Sequence, residues 1–549
     1  MRFVNLWASL LLALFFAAPV ESRSTPITSP GYSEPIQIIR SVGAGGIGMP
    51  PVGHSDSYLA RQAAALRPAF RGDLERLADA PRYTIQASVD PESGSVSGEM
   101  RLDYTNTTGE TLADLAFRLY PNAETIYGGG SLDVGRVAQG RTALRTDRSE
   151  DGTVLWARLQ RPLEPGRRVQ LALTFNAQVP AGTSQGYGIF NRALGVVALA
   201  GWYPVLAVYD GGWLTPPVPL TGDAMMAETG LYEVDLTVPE GYELVSTGTA
   251  IESHRSEKGV TWHVVSGPAR EFAVALSDRF KVQEARVGEV TLRLYTLPAD
   301  EPVVTDYAGL AVVTGAFETF VSRFGPYPFL EFDVVEASVP IDGYEFSGMV
   351  YVGYGVRTQE SLDDYEYVVA HELAHQWWYG LVGNHTVDEP WLDEGLATYA
   401  AVLYKEDAYS PGAGERLLGY WQRMEGGRQP QDPPLNSSTL EFSSWGPYHK
   451  TVYTQAAFFL AQLRQELGEE AFFELLKRYQ RTYRYRMGTT QDFLRLAERV
   501  AGRDLSPLFE SWFDTEAARE GKLSQPGSKP NKFSPASLSP PPRAGPQEF

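Results

Sequence analysis

Two of the seven histidines in this 549-residue chain, His371 and His375, stand four residues apart in VVAHELAHQWWYG with Glu372 between them. On a helix, residues four apart differ by about 40° in angle and one turn in height, so both imidazoles project from one face toward one point. Glu372 lies about 100° round from His371, where it can reach a water held by a metal at that point. The bland reading of the same pattern is a pair of core histidines, and a third ligand decides between the two. The chain has no cysteine, so that ligand must be a histidine or a carboxylate. Glu394 in EPWLDEGLATYA, nineteen positions after His375, meets the need. Its helix opens at Pro390, a residue suited to a first turn, and Trp391, Leu392, Leu396 and Tyr399 can bury it against the first helix. His385 in GNHTVD competes for the third place, but a loop fixes a ligand poorly. The expected centre is one zinc ion per chain on His371, His375 and Glu394, with Glu372 as general base. A metzincin pattern fails, because Trp378 and Leu381 stand where Gly and His would be.

HELAH followed at this spacing by WLDEG resembles the gluzincin zinc aminopeptidases of the aminopeptidase N and leukotriene-A hydrolase type. The resemblance runs from about residue 81 to 515 and takes in GWYPVL at 201–206 and FGPYPFLEFDVVE at 324–336. It implies a saddle-like β-domain ahead of a thermolysin-like zinc peptidase domain, and removal of N-terminal residues from peptides with a free N-terminus. It also implies two further functional positions. Glu345 in DGYEFSG, with Gly343 beside it, matches the element that binds the substrate's α-amino group, although Tyr344 replaces the usual methionine. A carboxylate there would fix which peptide bond meets the metal. Tyr453 in PYHKTVYTQAAFFLAQLRQELG matches the tyrosine that donates to the oxyanion, with Gln455 and Ala456 where Lys and Gly are usual. Tyr448 offers a second register with Lys450 two places on, but the distance to Leu467 and Gly468 fits Tyr453. Many relatives add a Gln or Glu from the β-domain to the amine site, and the sequence assigns no residue to that place. Two other readings stay open: a zinc endopeptidase to which Glu345 is irrelevant, and an exported scaffold that keeps the zinc helix for structure.

The elements that must position these residues divide the chain into an α+β multidomain protein. From 81 to 297, segments such as RYTIQASVD and RVQLALTFNAQV carry apolar residues at every second position, which predicts an N-terminal antiparallel β-sandwich. From 298 to 521 the spacing lengthens to three and four, predicting a mostly α catalytic domain with a strand at FDVVEASVP. An irregular lead-in with a helix kinked at Pro68 occupies 23–80. The stretch 522–549 holds seven prolines and no hydrophobic pattern, so a disordered tail is expected. Because the pattern stops near Asp514, the family's long helical C-terminal domain finds no room and an open cleft is expected.

Residues 3–20 are uncharged and apolar after Arg2, the pattern of a signal peptide spanning 1–22, so export is expected. Membrane anchoring could come only through that run if it stays uncleaved. The formal charge of −20 and the lack of a basic run exclude a nucleic-acid partner.

Overall fold

Arg168–Gln178 shows why the first half of the chain folds as sheet: Val169, Leu171, Leu173, Phe175 and Ala177 are buried while Arg168, Gln170, Asn176 and Gln178 face water. The computed structural model describes residues 57–182 and 186–514, so the expected signal peptide and Pro-rich tail lie outside the described residues. Within 82–277, eight strands form one large sheet and two four-stranded sheets pack with it around a shared core. Cross-strand register carries the buried face through the large sheet, from Ile85 to Met100, Leu173 and Val137. Each such side chain contributes about 1.5–3 kcal/mol by leaving water. Between the strands of these three sheets pairing is antiparallel except for Arg82–Asp90 and Gly230–Val238, which run parallel. A parallel pair needs a long crossover, and the strands lying between these two in sequence supply it.

A further five-stranded sheet carries the link to the helices. Its order is Lys281–Val287, Val290–Thr296, Glu331–Ala337, Met349–Gly353 and Gly343–Phe346, so it takes strands from both sides of position 297. The helix α1 (Asp306–Phe324), capped by Thr305, crosses between the parallel strands Val290–Thr296 and Glu331–Ala337. Alternate side chains of this sheet enter different cores. Val335, Tyr344, Phe346, Met349 and Tyr351 join the β-region core, while Phe332, Val334, Val350 and Val352 join the helical one.

The longer helices that follow are α2 (Leu362–Ala374), α3 (Trp391–Ala408), α4 (Pro411–Glu425), α5 (Ala456–Leu467), α6 (Glu469–Tyr483) and α7 (Thr490–Ala501). A short α-helix at Trp445–His449 and a π-helical turn at Lys450–Gln455 lead directly into α5. Before the sheets, Ser57–Gln62 is helical and Pro68 opens a single 3₁₀ turn. No helix among the described residues is long and apolar enough to cross a membrane.

Candidate metal centre and substrate cleft

α2 begins at a capping box in which Ser361 and Asp364 satisfy each other's backbone amides. Its last turn is driven inward by Val368, Val369, Leu373 and Ala374, all buried, and His375 caps its end. α3 is buried along most of its length, and its approach to α5 is very close at Gly395, where a Cβ would stand 2.4 Å from that of Ala456. This packing brings Glu394 to the two histidines. Glu394 Oε2 lies 3.0 Å from His371 Nε2 and 3.5 Å from His375 Nε2, and the two imidazole nitrogens are 3.2 Å apart.

The outer nitrogens of both rings are engaged. His375 Nδ1 donates to the Trp378 carbonyl at 3.0 Å, and His371 Nδ1 faces Thr398 Oγ1 at 3.4 Å. The Trp378 bond fixes the His375 tautomer, so its Nε2 presents a lone pair toward His371 Nε2. Two imidazole nitrogens and a carboxylate oxygen, buried and converging on one point, fit a first-row divalent cation such as zinc. His385 is also buried, but it belongs to neither of the two donor clusters found among the described residues.

Glu372 and Glu345 form the second cluster. One oxygen of each and a nitrogen of His375 all lie within 4.8 Å of one another. Glu345 stands on the edge strand Gly343–Phe346, paired with Val350 of the neighbouring strand. Gly343 on that strand lets the backbone pass over Glu372, for a Cβ there would meet the Glu372 carboxylate at 2.4 Å. Gln376 ties the strand to the end of α2, donating to the Phe346 carbonyl at 2.9 Å and accepting from the Gly348 amide at 2.8 Å.

Tyr453 lies in the π-helical turn and donates its hydroxyl to Glu394 Oε1 at 2.5 Å. Tyr448 is fully buried and packs against Gly222, where a Cβ would meet its hydroxyl at 2.4 Å. The two tyrosine registers thus have different environments, and Tyr453 is the one bonded to Glu394.

Burial pushes the Glu372 carboxyl up to about 8, with the Glu394 and Asp342 charges adding to the rise. Burial also drives Glu345 well above the usual range, followed by the charges of Asp223, Glu394 and Glu372. Glu394 is opposite in sign: burial would raise it, but hydrogen bonds from His371 and His375 hold it well below. The centre is buried and acid-rich, which favours cations.

Asp223 is the residue that sequence reasoning missed. It arrives from the β-region in TGDAMMAETG, is buried, and sits within hydrogen-bonding reach of Glu394 with the Glu372 charge also acting on it. No periodic pattern marks that segment. Arg270 and Glu271 are a second omission. Arg270 donates to the carbonyls of Tyr379 at 2.5 Å, Ala227 at 3.1 Å and Arg486 at 2.9 Å. Glu271 accepts from the Ser347 amide at 2.5 Å and from the Tyr379 hydroxyl, so the β-region braces both the edge strand and the loop after His375.

The profile of the peptidase family M1 domain matches residues 346–512. Aminopeptidase N of Streptomyces lividans is 25% identical over 305 residues, covering 52% of this chain and 35% of that protein. Human aminopeptidase B is 26% identical over 282 residues, covering 48% and 41% respectively. The chain therefore spans well under half the length of these curated relatives. A mutant of an M1 zinc metallopeptidase from Deinococcus radiodurans has a similar fold, with a TM-score of 0.62 at 20% identity over 82% of this chain and 96% of the other. A two-domain M1 zinc metallopeptidase mutant bound to L-arginine is similar as well, with a TM-score of 0.60 at 20% identity over 79% of this chain and 92% of the other. Residues 346–512, which carry the cluster of His371, His375 and Glu394, match the peptidase family M1 domain.

Proposed function

We propose that this protein is an exported zinc aminopeptidase that releases N-terminal residues from peptides with a free amino group. The observation that carries the reading is the cluster of Glu345, Glu372 and His375 beside the His371, His375 and Glu394 set. A buried Glu345 carboxylate surrounded by further acids needs a cation, and the ammonium of a peptide N-terminus is one. Asp223 supports the same role from the β-region side. Pairing the ammonium there leaves the first peptide bond as the one presented to the centre.

Zinc bound by His371, His375 and Glu394 would supply Lewis-acid polarisation and acidify water near neutral pH. Glu372 takes the proton from the attacking water and returns it to the leaving amine. Tyr453 turns its hydroxyl from Glu394 toward the oxygen that becomes negative on the substrate. Trp378 and Thr398 hold the imidazoles in register.

Glu372→Gln should keep the metal and lose turnover, while Glu345→Gln should raise KM for free peptides at least about tenfold, the size of one charged pairing in a buried site. Wild-type KM in Glu345→Gln would remove the amine anchor. The export reading rests on the run at 3–20. N-terminal sequencing of protein recovered outside the cytoplasm tests it: a start near residue 23 supports cleavage, an intact start in a membrane fraction supports anchoring, and cytoplasmic recovery of the intact chain defeats export.

A further inference from the structure

We propose that Glu425 and His449 form a positioning pair that fixes the Tyr453 ring for its contact with the substrate. This rests on the role given above to Tyr453. In this structure the phenol hydroxyl is bonded to Glu394, and it must leave that partner to meet a substrate oxygen. Its ring therefore needs a constraint that does not depend on the hydroxyl. The local backbone is a weak source of one, because a π-turn adds a residue to the helical repeat and loosens the register of its side chains.

The buried Tyr448 ring meets that of Tyr453 edge-on at 5.9 Å and 72°, and two imidazoles lie parallel to it. The His371 ring lies 5.6 Å from that of Tyr453 at an interplanar angle of 16°, and the His449 ring lies 5.0 Å away at 18°. Offset parallel rings at this separation are attractive and restrict rotation about χ2. His371 is held by its place among the ligand residues. His449 belongs to no ligand cluster, and its hold comes from Glu425, whose Oε1 is 3.1 Å from His449 Nδ1. Glu425 ends α4, a separate helix, so the chain from Glu425 through His449 to Tyr453 transmits the position of one element to the phenol of another.

The pair lies beside the centre, through the contact of His449 with Tyr453. Both side chains are partly exposed. Trp445 touches the rings of His449 and Tyr453, yet at 40% exposure it is a loose wall. A merely decorative ion pair at this exposure would contribute about 0–1 kcal/mol to stability and nothing to turnover.

The experiment is a double-mutant cycle on the zinc-loaded full chain, read as kcat and KM on a free tripeptide. Tyr453→Phe alone should lower kcat about 100-fold, the usual effect of removing one oxyanion donor. His449→Ala and Glu425→Ala should each lower kcat about tenfold with KM within about twofold, and Glu425→Gln, which keeps an acceptor for the His449 ring, should stay within about threefold of wild type. In the Tyr453→Phe background, His449→Ala should change kcat less than about twofold, because its route of action is gone. A phosphinic dipeptide, which mimics the tetrahedral state, should bind His449→Ala about tenfold more weakly, while a free amino acid product binds unchanged. Full additivity in the cycle, a loss confined to KM, or wild-type kcat in His449→Ala overturns the inference. Wild-type kcat in Tyr453→Phe removes the role of Tyr453 itself and takes the inference with it.

Discussion

Gly343→Ala is the smallest change with a large expected effect. The added methyl would lie 2.4 Å from Glu372 Oε1 and 2.5 Å from its Cδ and Cγ, about 1 Å inside an ordinary contact. Gly343 is buried and hydrogen-bonded into the edge strand, and its neighbour Glu345 is held through Val350, so the strand resists moving. The Glu372 carboxylate must give way instead. A displacement of this size at the reacting geometry costs about 100-fold in rate, while the overpacking costs about 1–3 kcal/mol of stability. The assay is kcat on a free tripeptide, with zinc content by mass spectrometry and a thermal melt on the same sample. The expected variant is folded, keeps its metal through His371, His375 and Glu394, and turns over about two orders of magnitude more slowly. Wild-type kcat with full metal content would refute the placement of Glu372 against Gly343 as the source of its catalytic geometry.

Removing zinc with a chelator should abolish activity and lower the melting temperature, and one equivalent of zinc per chain should restore both, since a ligand bound only by the folded state adds to its stability. His371→Ala should show the apo melting temperature even with zinc present. Arg270→Met strips a fully buried guanidinium from the carbonyls of Tyr379 and Arg486 and leaves Glu271 without its neighbouring charge, so a loss of about 3–5 kcal/mol is expected by denaturant titration. His263 tests pH dependence away from the cleft: its bond to Glu233 first, then Asp235, raises its pKa against the effect of burial. A raised histidine stabilises the fold below its unfolded pKa, about 6.5, and that contribution disappears as pH rises through the folded value. The melting-temperature gap between wild type and His263→Gln should therefore be widest near pH 6 and narrow toward pH 9, and a gap constant with pH would contradict the assignment.

The ligand helix was legible because its signal is local. Two rare histidines one turn apart, with apolar neighbours at three- and four-residue spacing, specify both the helix and the face it shows. The strands were legible for the same reason, as the alternation in Arg168–Gln178 shows. Alternation says nothing about pairing direction, so the parallel partner of Arg82–Asp90 could not be read from it. Nor does it say which sheet a strand joins, so Lys281–Val287 and Val290–Thr296 look like the preceding strands yet pair toward Glu331–Ala337. The partners that complete the cleft leave weaker traces. The acceptor for His375 is a backbone carbonyl, which any residue could supply. Asp223 comes from a segment without periodicity, and Glu425 meets His449 across two helices. One trace was present: His449 precedes Tyr453 by four residues, the spacing that stacks rings along a helix.

The most direct test of the central claim is the rate of N-terminal residue release from paired peptides, identical except that one of each pair is N-acetylated. With Glu345 pairing the substrate's ammonium, the free peptides are trimmed and the acetylated ones are spared by at least about 100-fold in kcat/KM, because acetylation removes the charge that the buried carboxylate must pair. Equal cleavage of both members of each pair would contradict the account and make the enzyme an endopeptidase.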